Sequence, residues 1–247
     1  MKAFSTMVKT ELKLSIRGMD MVIFAICMPI VVMVILGIIF GDKPAFEGAS
    51  FTSVAQSFGA VSTIAVCAGG VMGLPLVISD YRNKKILKRF QVTPVSPVLI
   101  LMAQVVVYLL YAVVSLVLVY VTAAIFFDYH MTGDLLPFLG AYLLVVLSMF
   151  SIGMMVGGIA SNIKTASVIS SVLYFPMLIF SGATLPYEVM PSALQKVVDF
   201  LPLTQGIKLL KVTSLGLPAD NILLPFVVMI ALAVVCIGVS IRFFKWE

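Results

Sequence analysis

Residues able to do chemistry are few in this chain, and they do not gather. His130 is the only histidine, so a catalytic triad or a histidine-ligated metal cluster has little to build on. Cys27, Cys67 and Cys236 fall in three different apolar stretches, none at metal-ligand spacing from another, and read as small packing residues. No G-x-x-x-x-G-K-[ST] occurs, so the chain carries no phosphate-binding loop of that type. The glycines of 68–73 lie inside an apolar run, where they favour close helix packing over phosphate binding. An enzyme working within the bilayer would need polar groups converging there, and such groups are scarce. The expectation is therefore no catalytic residue, no metal and no cofactor in this chain. What stands out instead is a strongly basic segment, 80–97, which interrupts the apolar stretches.

The elements that position this segment are apolar. The 247 residues are 62% hydrophobic and 11% charged, against about 25% charged in a soluble domain, so the excess apolar surface must face lipid. A helix needs about 20 apolar residues to span, and six stretches qualify: 19–41, 51–79, 98–127, 135–160, 165–184 and 220–244. The runs are continuous, without the short alternation of barrel strands. Pro29, Pro75, Pro176 and Pro225 lie within or near span ends, where a kink or broken turn is expected. The expected fold is a single all-α membrane domain over 1–247 with six transmembrane helices.

Ahead of the first span, Phe4, Val8, Leu12 and Ile16 recur every four residues, while Lys2, Lys9, Lys13 and Arg17 gather on another face. Glu11 is the exception on the apolar side. The pattern predicts an amphipathic interfacial helix over 1–18 rather than a cleaved signal peptide. Twelve of the 16 Lys/Arg fall in the N-terminus, 80–97, 161–164 and the C-terminus, and four in the alternate loops. That excess predicts a multi-pass protein of the cell membrane with both termini cytoplasmic. The net charge of +5 is then a topology signal, and contact with membrane lipids is expected but none with nucleic acid. Charge is nearly absent from span interiors, which argues against a carboxylate-relay pump or a channel built on charged rings.

Within 80–97, DYRNKKILKRF (80–90) reads as a short helix ended by Pro94 and Pro97. Ile86, Leu87 and Phe90 form an apolar face beside Arg82, Lys85 and Arg89. Before the last span, Pro191 suits a first helical turn, and Leu194, Val197, Val198 and Leu201 follow on one face until Pro202 ends it. A second short helix is expected over 206–212, with Lys208 and Lys211 at the surface. Both are too short to span, and 185–219 should dip into the outer leaflet or cap the bundle.

Two of these segments resemble the ABC-2 type permeases, the membrane subunits of a class of ATP-driven exporters. KILKRFQVTPVS (85–96) is similar to the family's cytoplasmic loop, with Lys85 where the family often has Gly and Phe90 where Leu is common. FPMLIFSGATLP (175–186), then Met190-Pro191, Leu194-Gln195 and FLPLT (200–204), is similar in order and spacing to a second family pattern. The resemblance implies a separate ABC ATPase subunit in two copies, which carries the ATP and Mg, and a second permease subunit, identical or homologous. It implies that Arg82, Lys85, Ile86, Leu87, Lys88, Arg89 and Phe90 contact the ATPase. It further implies an outer gate or re-entrant segment containing Ser181, Gly182, Pro186, Pro191, Leu194 and Pro202. Among the family's branches the chain looks more like drug and antibiotic exporters than polysaccharide exporters. The implied function is export of an amphipathic drug, antibiotic, peptide or lipid-like molecule. The alternative is a non-transporting anchor or assembly factor that recruits a cytoplasmic partner through the basic loop.

Overall fold

A computed structural model describes residues 2–41, 43–45, 49, 51–86, 96–184, 187, 190–218 and 222–243. Among them the regular elements are all helical. Helix α1 (Lys2–Gly18) precedes six helices long and apolar enough to span: α2 (Val22–Phe40), α3 (Ser53–Asn83), α4 (Pro97–Phe127), α5 (Leu135–Ile159), α6 (Ile163–Phe180) and α9 (Leu223–Phe243). Between the last two lie the short helices α7 (Ser192–Val198) and α8 (Pro202–Leu215). Local chemistry explains several starts. Thr52 caps α3 by accepting from the Ala55 amide at 3.2 Å, and Asn162 caps α6 by accepting from Thr165 at 2.9 Å. Pro97 and Pro202 sit in first turns, where a missing N–H costs nothing.

Two boundaries and some local details differ from expectation. The second span continues to Asn83 as one 31-residue helix, so residues 80–83 belong to α3 rather than to a separate loop helix. Pro202 opens α8 instead of merely ending the helix before it, because its fixed φ suits a helical entry. Pro29 and Pro75 leave their helices unbroken. Each follows a six-residue π-helical stretch, Val22–Cys27 and Ala68–Gly73, whose wider turn makes room for the ring. In α1, Val8 and Leu12 pack inward as the periodicity predicts, but Ile16 is exposed.

Helix α3 is the centre of the molecule. It packs against α2, α4, α5, α6 and α8. Of its most apolar stretch 83% is buried, against 28% for each of α2, α6 and α9, which lie at the outside of the bundle. Lipid tails are as apolar as leucine, so helices in a bilayer associate through close van der Waals contact rather than water exclusion. Glycines supply that contact here. A Cβ on Gly153 of α5 would overlap the Gly70 carbonyl oxygen of α3. One on Gly70 would stand 3.0 Å from the Met149 carbonyl carbon, and one on Gly157 would stand 3.0–3.1 Å from Ile78 and Pro75. Polar groups join the remaining helices. The Tyr142 hydroxyl donates to the Ala112 carbonyl of α4 at 2.9 Å, and Ser148 lies 2.9 Å from the Met229 carbonyl of α9.

Replacing Gly153 by Val should force α5 away from α3 and cost about 1–3 kcal/mol, read as a fall in thermal midpoint in detergent. Gly238→Ala, where a Cβ meets nothing within 4 Å, should be neutral or raise the midpoint by relieving chain entropy. Equal behaviour of the two variants would refute a backbone-contact role for Gly153.

Candidate functional site

At one end of the bundle the last turn of α3 is held by two side chains pointing opposite ways. The Tyr81 hydroxyl donates to Glu11 Oε2 of α1 at 2.5 Å, and Gln104 Nε2 of α4 donates to the same oxygen at 2.6 Å. Gln104 also lies 2.8 Å from the Tyr81 hydroxyl, which closes a three-membered network. Glu11, the misfit on the apolar face of α1, is thus the residue that ties α1 to the ends of two spans. Sequence reasoning singled out Glu11 as an exception but did not find its partners.

Arg82, one position on, turns into the bundle and is 7% exposed. Its guanidinium donates to the carbonyls of Gly158 (3.1 Å), Gly157 (3.3 Å) and Ala160. Gly157 and Gly158 lie in the last turn of α5 and Ala160 follows it, where carbonyls lack intrahelical partners and a cation meets the negative end of the helix dipole. Among the residues expected to contact an ATPase, Arg82 is therefore engaged within the chain. Lys84 pairs with Asp80 at 2.7 Å on the surface. Lys85 is exposed, with φ +56°. That is the left-handed region favoured by glycine, and it falls at the position where the family pattern often has Gly. Ile86 is half-buried; Leu87, Lys88, Arg89 and Phe90 lie outside the described residues.

The opposite end is built from the second motif. Gly182 follows α6 with φ +98°, a conformation that accounts for glycine after Ser181. Ser181 is fully buried, Pro191 caps α7, Leu194 is half-buried and Pro202 starts α8, while Pro186 lies outside the described residues. Sequence reasoning missed the group that ties this end together. Asp199 Oδ1 accepts from the Tyr187 hydroxyl at 2.9 Å and from Lys208 Nζ at 2.7 Å. Lys208 also stands 5.0 Å from the centre of the Tyr187 ring. Gln195 donates to the Tyr187 and Met190 carbonyls, and Gln205 to the Asp199 carbonyl. The signal in the sequence is Asp199 with Lys208 nine residues later and Pro202 between them.

Helix α8 does more than cap the bundle. Leu203, Thr204, Ile207, Leu209 and Leu210 are buried, and a Cβ on Gly59 of α3 would stand 3.2 Å from the Leu210 backbone. Its last carbonyls are met from the α4–α5 loop: Gly133 N donates to Ser214 and Thr132 Oγ1 to Leu215, both at 3.0 Å. In that loop Tyr129 packs its ring 4.9 Å from Phe58, and burial, with Tyr120 beside it, pushes its phenol pKa up.

Arg82→Gln should lower the thermal midpoint by an amount equivalent to about 2 kcal/mol, the scale of lost charged hydrogen bonds, while Lys84→Gln stays within about 0.5 kcal/mol. Lys85→Gly should raise the midpoint, since a left-handed backbone costs a non-glycine residue about 1 kcal/mol. A destabilised Lys85→Gly variant would show that the turn does not need this backbone conformation.

Comparison with known proteins agrees with this architecture. The chain matches the ABC-2 type transporter family over residues 2–215. It is 33% identical over 97 residues to Nodulation protein J of Rhizobium leguminosarum bv. viciae and 30% identical over 98 residues to Nodulation protein J of Neorhizobium galegae. These alignments take in 39% and 40% of this chain, and they span 35% of the length of each relative. With its six apolar helices this is a multi-pass membrane protein. The chain belongs to the ABC-2 type transporter family.

Proposed function

We propose that the chain is the permease subunit of an ABC exporter and moves an amphipathic drug, antibiotic, peptide or lipid-like molecule out of the cytoplasm or inner leaflet. The family match over residues 2–215 carries this reading. ATP hydrolysis takes place on a separate ATPase subunit, present in two copies with its Mg, and a second permease copy or homologue completes the path. Both termini face the cytoplasm, which puts α1 and the basic loop on the ATPase side. The loop contact is made by Lys85, Ile86, Leu87, Lys88, Arg89 and Phe90, and Arg82 fixes the helix end from which the loop departs.

Helix α3 supplies the mechanical link. Its 31 residues run about 46 Å from the loop to the far end of the bundle. The π-helical stretch Ala68–Gly73 divides it into two arms. A push on the loop reaches Glu11 and α1 through Tyr81, and α5 through Arg82. Nucleotide shifts the balance of arrangements only by binding them unequally.

Gentle detergent extraction of the tagged chain from native membranes should recover a soluble ATPase in equal amount. Changing Leu87 and Phe90 to Glu together should abolish that recovery and export, with insertion unchanged. Survival of both association and export in the double variant would refute the loop assignment. Recovery of the wild-type chain alone in several detergents, with ATP present, would refute the exporter reading.

A further inference from the structure

Helices α2 and α3 carry the same punctuation where they meet. A π-helical stretch, Val22–Cys27 in one and Ala68–Gly73 in the other, is followed two residues on by a proline, Pro29 and Pro75. The two stretches touch. Each combination leaves one carbonyl without a donor in its own helix. Met28 N donates to the Ile23 carbonyl and Leu74 N to the Gly69 carbonyl, the i−5 pairing of a π turn. The next amide in line would serve Phe24 in α2 and Gly70 in α3, but it belongs to proline, which has no N–H. A helix bends most easily where its hydrogen-bond ladder is interrupted, and π turns and prolines are the usual causes of kinks.

What hangs from the two stretches is one body. Helix α1 leads into α2 through the first, and the last 10 residues of α3, Leu74–Asn83, continue from the second. The Tyr81 hydroxyl on Glu11 Oε2 ties these two parts together. A joint in only one of two linked helices would be held rigid by the other, whereas here both ladders are interrupted where the helices touch. A cavity of about 720 Å³ lies beside the stretches, walled in part by Leu14 and Gly18 of α1, Phe24 of the first stretch, and Met72 and Gly73 of the second, so a tilt has space to enter. The contact of Gly70 with Gly153 stands at the joint itself and acts as its fulcrum. Away from the joint, the body is fastened to the rest by hydrogen bonds, Gln104 to Glu11 and Arg82 to carbonyls at the end of α5, and by Ile78 against Gly157. We propose that α1 and the end of α3 swing as one body about this double joint, relative to the outer part of the bundle. A swing of about 20°, the scale of kinks at such places, moves the end of an arm about 15 Å long by about 5 Å. The motion belongs to the chain alone, so it stands or falls apart from the exporter reading.

The test uses the full chain in lipid nanodiscs, with Cys27, Cys67 and Cys236 replaced by Ala and nitroxide labels on introduced cysteines. Distances are read by double electron–electron resonance. Lys84→Cys with Arg242→Cys compares the end of the α3 arm with the end of α9, and Lys164→Cys with Arg242→Cys is a control pair outside the moving body; all three positions are exposed. The first pair should show two populations separated by up to about 5 Å, and the control pair one. Pro29→Ala together with Pro75→Ala returns the missing N–H to both ladders and should leave the first pair with a single population. Thermal midpoints in the same nanodiscs show whether the double variant is folded; if it is not, either single variant, by stiffening one of the two linked helices, should give the same collapse. A single population for the first pair with both prolines in place would overturn the proposal. So would two populations in the control pair, or two that persist in a folded proline variant.

Discussion

The rest of the molecule depends on the contact between two backbones, where Gly70 of α3 meets Gly153 of α5 with no side chain between them. In water such a crossing would be one contribution among many. In lipid, where apolar burial gives helices little reason to prefer one another, close approach is what holds α3 at the centre. The next contacts follow from it. Gly157 fits against Ile78 and Pro75 a turn further on, and that register delivers the end of α5 to Arg82. At the other end the same placement brings Gln56 and Gly59 against α6 and α8.

The two ends that α3 joins are each tied by polar side chains. At the α1 end, Tyr81 and Arg82 are both satisfied, one by a carboxylate and one by helix-terminal carbonyls. At the far end, α7 and α8 are tied down through Asp199 and the 132–133 loop. Helix α3 therefore runs between two points where neighbouring elements are fixed by hydrogen bonds rather than by apolar contact alone.

The six spans were legible because a bilayer imposes one simple rule on composition over about 20 residues. What stayed hidden depends on tertiary register. Arg82 has the same basic character as Lys84 and Lys85, and only the crossing of α3 with α5 turns it inward. Glu11 was visible as a misfit, but Tyr81 and Gln104 lie 70 and 93 residues away. Pro202 can stop one helix or start another, and the burial of Leu203 and Leu210 decides for the start. The Lys85 position was flagged by a resemblance, and its φ of +56° supplies the physical reason that glycine is common there.

The π-helical stretch in α3 also sets how insertions and deletions are tolerated. A π turn takes up about one residue more than an α turn, so removing one residue from Ala68–Gly73 would let the helix close into ordinary α geometry with its two halves still in phase. Tyr81 would keep Glu11 and Arg82 would keep α5. The same deletion in an α-helical part of α3 would turn the half beyond it by about 100° and part Tyr81 and Arg82 from their partners. The stretch therefore works as a store of one spare residue: it is the place along α3 where chain length can change without changing which way either half faces.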